Sequence, residues 1–232
     1  AKSVCHNYDN NTVLDTFQFN FIMQVPGQTV AAHLDSPYFW GGSRFQFPQW
    51  LLVAMVFSGL FQEKFIHQIQ VVGYIHEWNE EDAKNPNLGG DFVYYLTNNA
   101  NEYGIVNPKT GAGTFVDGSK VLHAAKVYRP DVKAPHLDKD KDCVLTFLQD
   151  EDWAVLCGEN DVRGRYKTHD LRISVVYRAR CFKDQEESDL YQKTKNTEMF
   201  QLDYIIETFQ KDLIEKKGYK ENYIKSLSRL DL

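Results

Sequence analysis

The stretch Thr29-Val30-Ala31-Ala32-His33-Leu34-Asp35 reads as a β-strand, and its last three residues carry the first chemical signal in the chain. Side chains alternate along a strand, so His33 and Asp35 point the same way, about as far apart as two neighbouring ligands on one metal. A third ligand must then come from another strand. His123, in the predicted strand Lys120 to Tyr128, faces inward with Val121 and Ala125 on its side. Two histidines and one carboxylate on one face of an ion leave three positions open. That suits non-haem Fe(II) that must bind a co-substrate and O₂ together. The same dipeptide spacing recurs at His136-Leu137-Asp138, in a loop rich in Pro, Lys and Asp. Nothing there would hold ligands rigid, so this copy reads as surface.

Outward from this stretch the chain is mostly strands. Phe17 to Gln24 alternates, with Phe17, Phe19, Phe21 and Met23 on one side and Gln18, Asn20 and Gln24 on the other. Val25-Pro26-Gly27-Gln28 is a turn, and Ser36 to Gly42 a loop. A helix is predicted from Pro48, proline being well placed in a first turn. Its apolar run, Trp50 to Phe61, is shorter than the ~18 residues a membrane-spanning helix needs, and reads as a buried helix. Strands are predicted at Gln68–Glu77, Asp91–Thr97, Gly113–Asp117, Lys120–Tyr128 and Leu171–Phe182. Cys143 to Leu148 and Trp153 to Cys157 flank Gln149 to Asp152 as a hairpin. If Leu148 faces Asp152, Cys143 lies opposite Cys157 and a cross-strand disulfide is geometrically possible. From Ser188 the spacing becomes helical, over Leu190 to Lys216 and Lys220 to Leu230, with Phe200, Tyr204, Ile205, Phe209 and Leu213 along one stripe. The pattern suits a β-sandwich or barrel buttressed by helices. It divides into a domain over 1–187, with an insert at about 130–170, and a helical extension over 188–232 packed on it.

The 232 residues are 43% hydrophobic and 25% charged, ordinary for a soluble globular chain. A net charge of −6 and a pI near 5.6 make nucleic acid an unfavourable partner. The four cysteines, Cys5, Cys143, Cys157 and Cys181, form no Cys-x-x-Cys pair, which argues against a zinc ribbon. The chain opens Ala1-Lys2-Ser3 without methionine and without a charged-then-apolar leader, as a processed or excised piece would. The compartment is not legible, with the cytoplasm slightly favoured. Asn10-Asn11-Thr12 matches a glycosylation sequon, a common chance pattern. His6 lies near the terminus. His67 and His76 read as partly exposed structural residues, and His169 as one that caps or orients a loop.

On the strand Leu171 to Phe182, Arg172, Ser174 and Val176 share a face. Arginine grips a carboxylate in bidentate fashion, and a buried arginine is costly unless paired. Ser174 adds a hydroxyl to the same carboxylate. Arg178 and Arg180 of this strand read as solvated.

These features together resemble the Fe(II)- and 2-oxoglutarate-dependent oxygenase superfamily over about Phe17 to Phe182. The matching motifs, in order, are the strand into Val25-Pro26-Gly27, His33-Leu34-Asp35, Gly89-Gly90-Asp91-Phe92, the run Gly111 to His123, and Arg172-Ile173-Ser174. The resemblance implies a mainly β fold with flanking helices around a double-stranded β-helix (jelly-roll, cupin-like) core. It implies that His33, Asp35 and His123 hold Fe(II) and that Arg172 and Ser174 hold the distal carboxylate of 2-oxoglutarate, with Gln24 near a further co-substrate position. It also implies a dioxygenase that uses O₂ to hydroxylate a small-molecule or peptide substrate, with succinate and CO₂ released. Asp35 occupies the position a halogenase leaves vacant for halide. The chain departs from many members in the long segment from Pro130 to Asp170 between His123 and Arg172. Lys133 or Arg129 is therefore an alternative basic residue, and the hairpin in this segment reads as a lid or recognition insert. Tyr38, Trp40 and Arg44, just after the first ligands, are candidate substrate contacts, the aromatics equally suited to plain packing. Two other readings stay open. One is a cupin-like metal-binding protein or a metalloenzyme without 2-oxoglutarate, which leaves Arg172 and Ser174 unexplained. The other is an interaction domain that docks a partner or a membrane through Trp50–Phe61. Oligomeric state is not legible.

Overall fold

The structure, a computed structural model, describes residues 2–7, 10–78, 80–85, 87–96, 101–159 and 161–227. A short helix α1 (Lys2–Cys5) precedes strands β1 (Val13–Gln24), β2 (Val30–His33) and β3 (Tyr38–Phe39). Helix α2 (Gln49–Ser58) leads into β4 (Phe65–Ile66) and β5 (Gln68–Tyr74). Helix α3 (Glu80–Lys84) leads into β6 (Phe92–Tyr95), β7 (Tyr103–Val106), β8 (Gly113–Val116) and β9 (Leu122–Ala125). Strands β10 (Cys143–Phe147), β11 (Asp152–Cys157), β12 (Val162–Lys167) and β13 (Arg172–Phe182) come next. Helices α4 (Gln185–Thr194), α5 (Leu202–Glu215) and α6 (Glu221–Ser226) follow.

The architecture is mainly β with helices around it. Two four-stranded antiparallel sheets carry it, in the orders β1-β13-β5-β8 and β2-β9-β6-β7. They face each other: Ile22, Val72 and Val176 of the first sheet pack against Phe92, Tyr94 and Val106 of the second. A three-stranded sheet, β10-β11-β12, lies within the expected insert, and its Leu145, Val155 and Tyr166 pack on Val25 and Leu171. Cys143 pairs with Cys157 across β10 and β11, and the two form a disulfide.

Strand β1 alternates as its sequence demands, but its polar side is the inner one. Gln18 and Ile22 face the space between the sheets, whereas Phe19 and Phe21 are each 59% exposed. A bulge at Phe17 shifts the register against β13, so that Phe17 and Gln18 both line one groove.

Helix α2 is apolar almost all round, as a helix inside a core must be. Leu51, Leu52, Met55 and Val56 are buried with Phe61, Phe65 and Ile205 of α5, while Trp50 and Phe57 reach solvent. The helix stops at Gly59, whose φ of 72° only glycine adopts freely and whose N–H donates to the Val56 carbonyl. Helix α4 is capped by the Asp184 carboxylate, which accepts from the Glu187 N–H at 2.9 Å. Its Tyr191 packs on Phe182 and Tyr38.

The structure differs from the sequence reading in several places. The helical run Leu190–Lys216 is two helices, because the Phe200 N–H is drawn onto the Gly41 carbonyl at 2.8 Å and the chain runs extended there. The stripe residue Tyr204 is accordingly exposed, and Ile206 is buried with Ile205. Strands β7 and β12 escaped the reading. Each is short or polar and contains a glycine. His76 is fully buried rather than partly exposed, with Nε2 2.8 Å from the Pro108 carbonyl and its ring stacked on Trp78. Among the described residues no helix is long and apolar enough to cross a membrane.

Candidate metal centre

Strands β2 and β9 are neighbours, and their register sets His33 directly opposite His123. The two ring centroids are 4.4 Å apart. Asp35 follows just past the end of β2, where its N–H donates to the Gly118 carbonyl at 2.8 Å. Each imidazole is tied by Nδ1 to the carbonyl two residues before it, His33 to Ala31 at 2.8 Å and His123 to Val121 at 2.9 Å. A carbonyl only accepts, so each Nδ1 carries the hydrogen and each Nε2 presents a lone pair. Those two Nε2 atoms stand 3.7 and 3.8 Å from the two Asp35 oxygens. The three side chains offer ligand atoms that all lie within 4.8 Å of one another. Ligand atoms bound about 2.1 Å from one ion at right angles stand about 3 Å apart, so closure on an ion shortens these separations by less than about 2 Å.

The surroundings fit a divalent ion. His123 Nε2 is buried and has no hydrogen-bond partner, and burial lowers this ring's pKa, which keeps it neutral. Gly118 leaves the space free: a Cβ there would lie 2.0 Å from Asp35 Oδ2 and 2.9 Å from His123 Cε1. Asp117, beside it, folds its carboxylate back onto the N–H and hydroxyl of Ser119, at 3.1 and 2.6 Å, and burial raises its pKa.

Arg178 was expected in solvent and instead points inward. Its guanidinium pairs with Asp35 Oδ1 and donates to Gln70, opposite it on β5, and to Gln18 at 3.3 Å. The signal was present in the sequence, since Arg178 has the same strand parity as Arg172, Ser174 and Val176. Arg180 is also buried, paired with Asp15 at 2.7 Å and with the Tyr191 hydroxyl at 3.1 Å.

His33 and His123 line a cavity of about 140 Å³ between the two sheets, roughly the volume of five liquid waters. Arg172, Ser174 and Val176 line the same cavity from β13. Arg172 is 2% exposed. It donates to the amide oxygen of Gln24, its cross-strand partner, and sits 5.1 Å from the Tyr74 ring centroid. Its Nε and the Gln24 Nε2 are buried without hydrogen-bond partners. Gly90 makes room for it, since a Cβ there would stand 2.8 Å from Arg172 Cδ. The hydrogen-bond partner of Arg172 is neutral and Asp91 acts on it only through space, so burying this guanidinium costs on the order of several kcal/mol until an anion reaches it.

The remaining expected residues are placed as follows. Tyr38 is buried, its ring tilted against that of Phe17 at 4.9 Å between centroids, and lines a larger groove beside the cavity together with exposed Arg44. Trp40 turns away from that groove, its Nε1 donating to Thr194 at 3.1 Å. Arg129, the alternative basic residue, is engaged by Asp82 at 2.6 Å, and Lys133 is exposed; neither lines the cavity. His136 is exposed, as expected of a surface copy, and His6 and His169 are exposed too.

No protein-family profile matches the chain, and no curated protein matches it by sequence. Among solved structures it is similar to a prolyl-4-hydroxylase from Pseudomonas putida, with a TM-score of 0.32 and 16% identity. That match covers 72% of this chain and 51% of the other, so the chain spans about half the length of that protein.

Proposed function

We propose that this chain is an Fe(II)- and 2-oxoglutarate-dependent dioxygenase of the hydroxylating type, acting on a small-molecule or peptide substrate. The observation that carries the reading is one cavity lined by His33 and His123, which cluster with Asp35, and by a buried guanidinium, Arg172, that has no carboxylate within ion-pair distance among the described residues. The order of the two facing four-stranded sheets supports a double-stranded β-helix core. Fe(II), 2-oxoglutarate and O₂ bound here would supply oxidation of an unactivated C–H bond, with succinate and CO₂ as co-products.

In this reading the chain provides placement. The Nδ1–H bonds to Ala31 and Val121 fix both imidazole tautomers, so no reorganisation is needed to present Nε2. Arg178 orients the Asp35 carboxylate. Arg172, steadied by Gln24, takes the far carboxylate of the co-substrate, with Ser174 beside it. Ile22, Val72, Phe92 and Val176 form apolar walls that exclude water.

Anaerobic addition of Fe(II) and 2-oxoglutarate should give a visible charge-transfer band that needs both, and aerobic mixing should release succinate. His33→Ala should abolish both signals while the fold persists, since His33 is partly exposed at the strand end; His136→Ala should change neither. Equal losses from the two variants would show that the wrong histidine pair had been chosen. Metal binding with no response to 2-oxoglutarate would favour a cupin-like metal protein.

A further inference from the structure

A groove of about 600 Å³ lies beside the metal cavity, and Gln18 lines both. Its floor is rigid. The Arg180 guanidinium is boxed by the rings of Phe17, Tyr38 and Tyr191, at 5.0, 5.0 and 4.9 Å from their centroids. Asp15 neutralises that arginine. At the rim stand Arg44, exposed over Phe45, and Lys195, which reaches only an amide oxygen of Gln192. Neither has a carboxylate within ion-pair distance among the described residues, and no acidic residue lines the groove. In a chain of net charge −6 this is a local reversal of sign.

Asn196 adds an amide donor and acceptor along the groove, matched to a peptide backbone, while the Gln46 amide is held by Ser43 and Met199. Two free cations suit one or two carboxylates better than a polyphosphate, whose binding grows with each neutralised charge.

We propose that this groove binds an acidic peptide segment, with Arg44 and Lys195 taking its carboxylates, and leads a neighbouring residue past Gln18 to the metal centre. The last step rests on the dioxygenase reading; the binding step does not.

The test uses the full chain without metal and follows fluorescence anisotropy of fluorescein-labelled hexaglutamate at low salt. Hexaglutamine, hexalysine and hexathymidylate carrying the same label serve as comparisons. Hexaglutamate should bind at least about tenfold more tightly than each of them. The double variant Arg44→Glu, Lys195→Glu should lose about tenfold or more in that affinity, with its thermal midpoint unchanged. Should it misfold, Arg44→Gln with Lys195→Gln should lose severalfold. Equal affinity for hexaglutamine, or indifference to the charge changes, would overturn the proposal. Tighter binding of hexathymidylate would overturn it in favour of a phosphodiester partner. Since no metal is present, failure here is separate from loss of the Fe(II)–2-oxoglutarate band.

Discussion

A methyl group at Gly118 would sit inside the Asp35 carboxylate, and this makes the smallest available change a severe one. Gly118→Ala should weaken metal binding at least about tenfold with little loss of fold, because its backbone is outside the left-handed region and accepts alanine. Anaerobic metal titration with a thermal melt reads both. At the other end of the cavity, Arg172→Met should raise the 2-oxoglutarate concentration needed for half-saturation about a hundredfold while leaving affinity for the metal alone unchanged. A parallel loss of metal binding would mean that Arg172 supports the ligands instead of the co-substrate. At this scale the sequence indicated that His33, Asp35 and His123 come together, although the strand expected to run to Asp35 ends at His33. It was misread at Arg178, whose parity pointed inward but whose charge suggested solvent. Gly118 was illegible, because its role is a close approach between segments distant in the chain.

Among the elements, β1 shows how a correct period leaves the direction open. Phe17 to Gln24 alternates, yet the glutamines serve the interior because Arg172 and Arg178 wait there for amide oxygens. The insert followed its sequence more closely: the Leu148 N–H meets the Asp152 carbonyl at 2.8 Å, and that turn sets Cys143 against Cys157. Closing a loop of this length by a disulfide stabilises by at most about 3 kcal/mol, less where strand pairing already holds the ends. Cys143→Ser with Cys157→Ser should therefore speed amide exchange in β10 and β11 and lower the thermal midpoint modestly. Unchanged exchange would show the bridge to be superfluous. The split between α4 and α5 could not be read from periodicity, because a tertiary contact between Phe200 and Gly41 interrupts a run that is helical in spacing.

The whole molecule buries two histidines whose pKa values are lowered chiefly by desolvation, His76 and His123. The folded state resists protonating them, while the unfolded chain takes up protons near the ordinary value of 6.5. Below that pH the unfolded state binds more protons, so stability falls on acidification. Asp117, raised by burial, acts in the opposite sense above the ordinary carboxylate range. The chelated protein should accordingly melt at a lower temperature at pH 5.5 than at pH 7.5, and His76→Gln should shrink that difference; equal melting temperatures would contradict this account. Periodicity was enough to indicate a β-rich body with helices at its end, whereas the pairing of distant strands into two facing sheets emerged only in three dimensions. The claim on which the function turns is that His33, Asp35 and His123 share one ion. It is tested most directly by anomalous diffraction from crystals soaked in Mn(II), an oxygen-stable stand-in for Fe(II). One peak within bonding distance of His33 Nε2, His123 Nε2 and an Asp35 oxygen is the expected result. A map with no peak there at saturating Mn(II), or with its peak among the acidic side chains at Asp138 and Asp161, would contradict it.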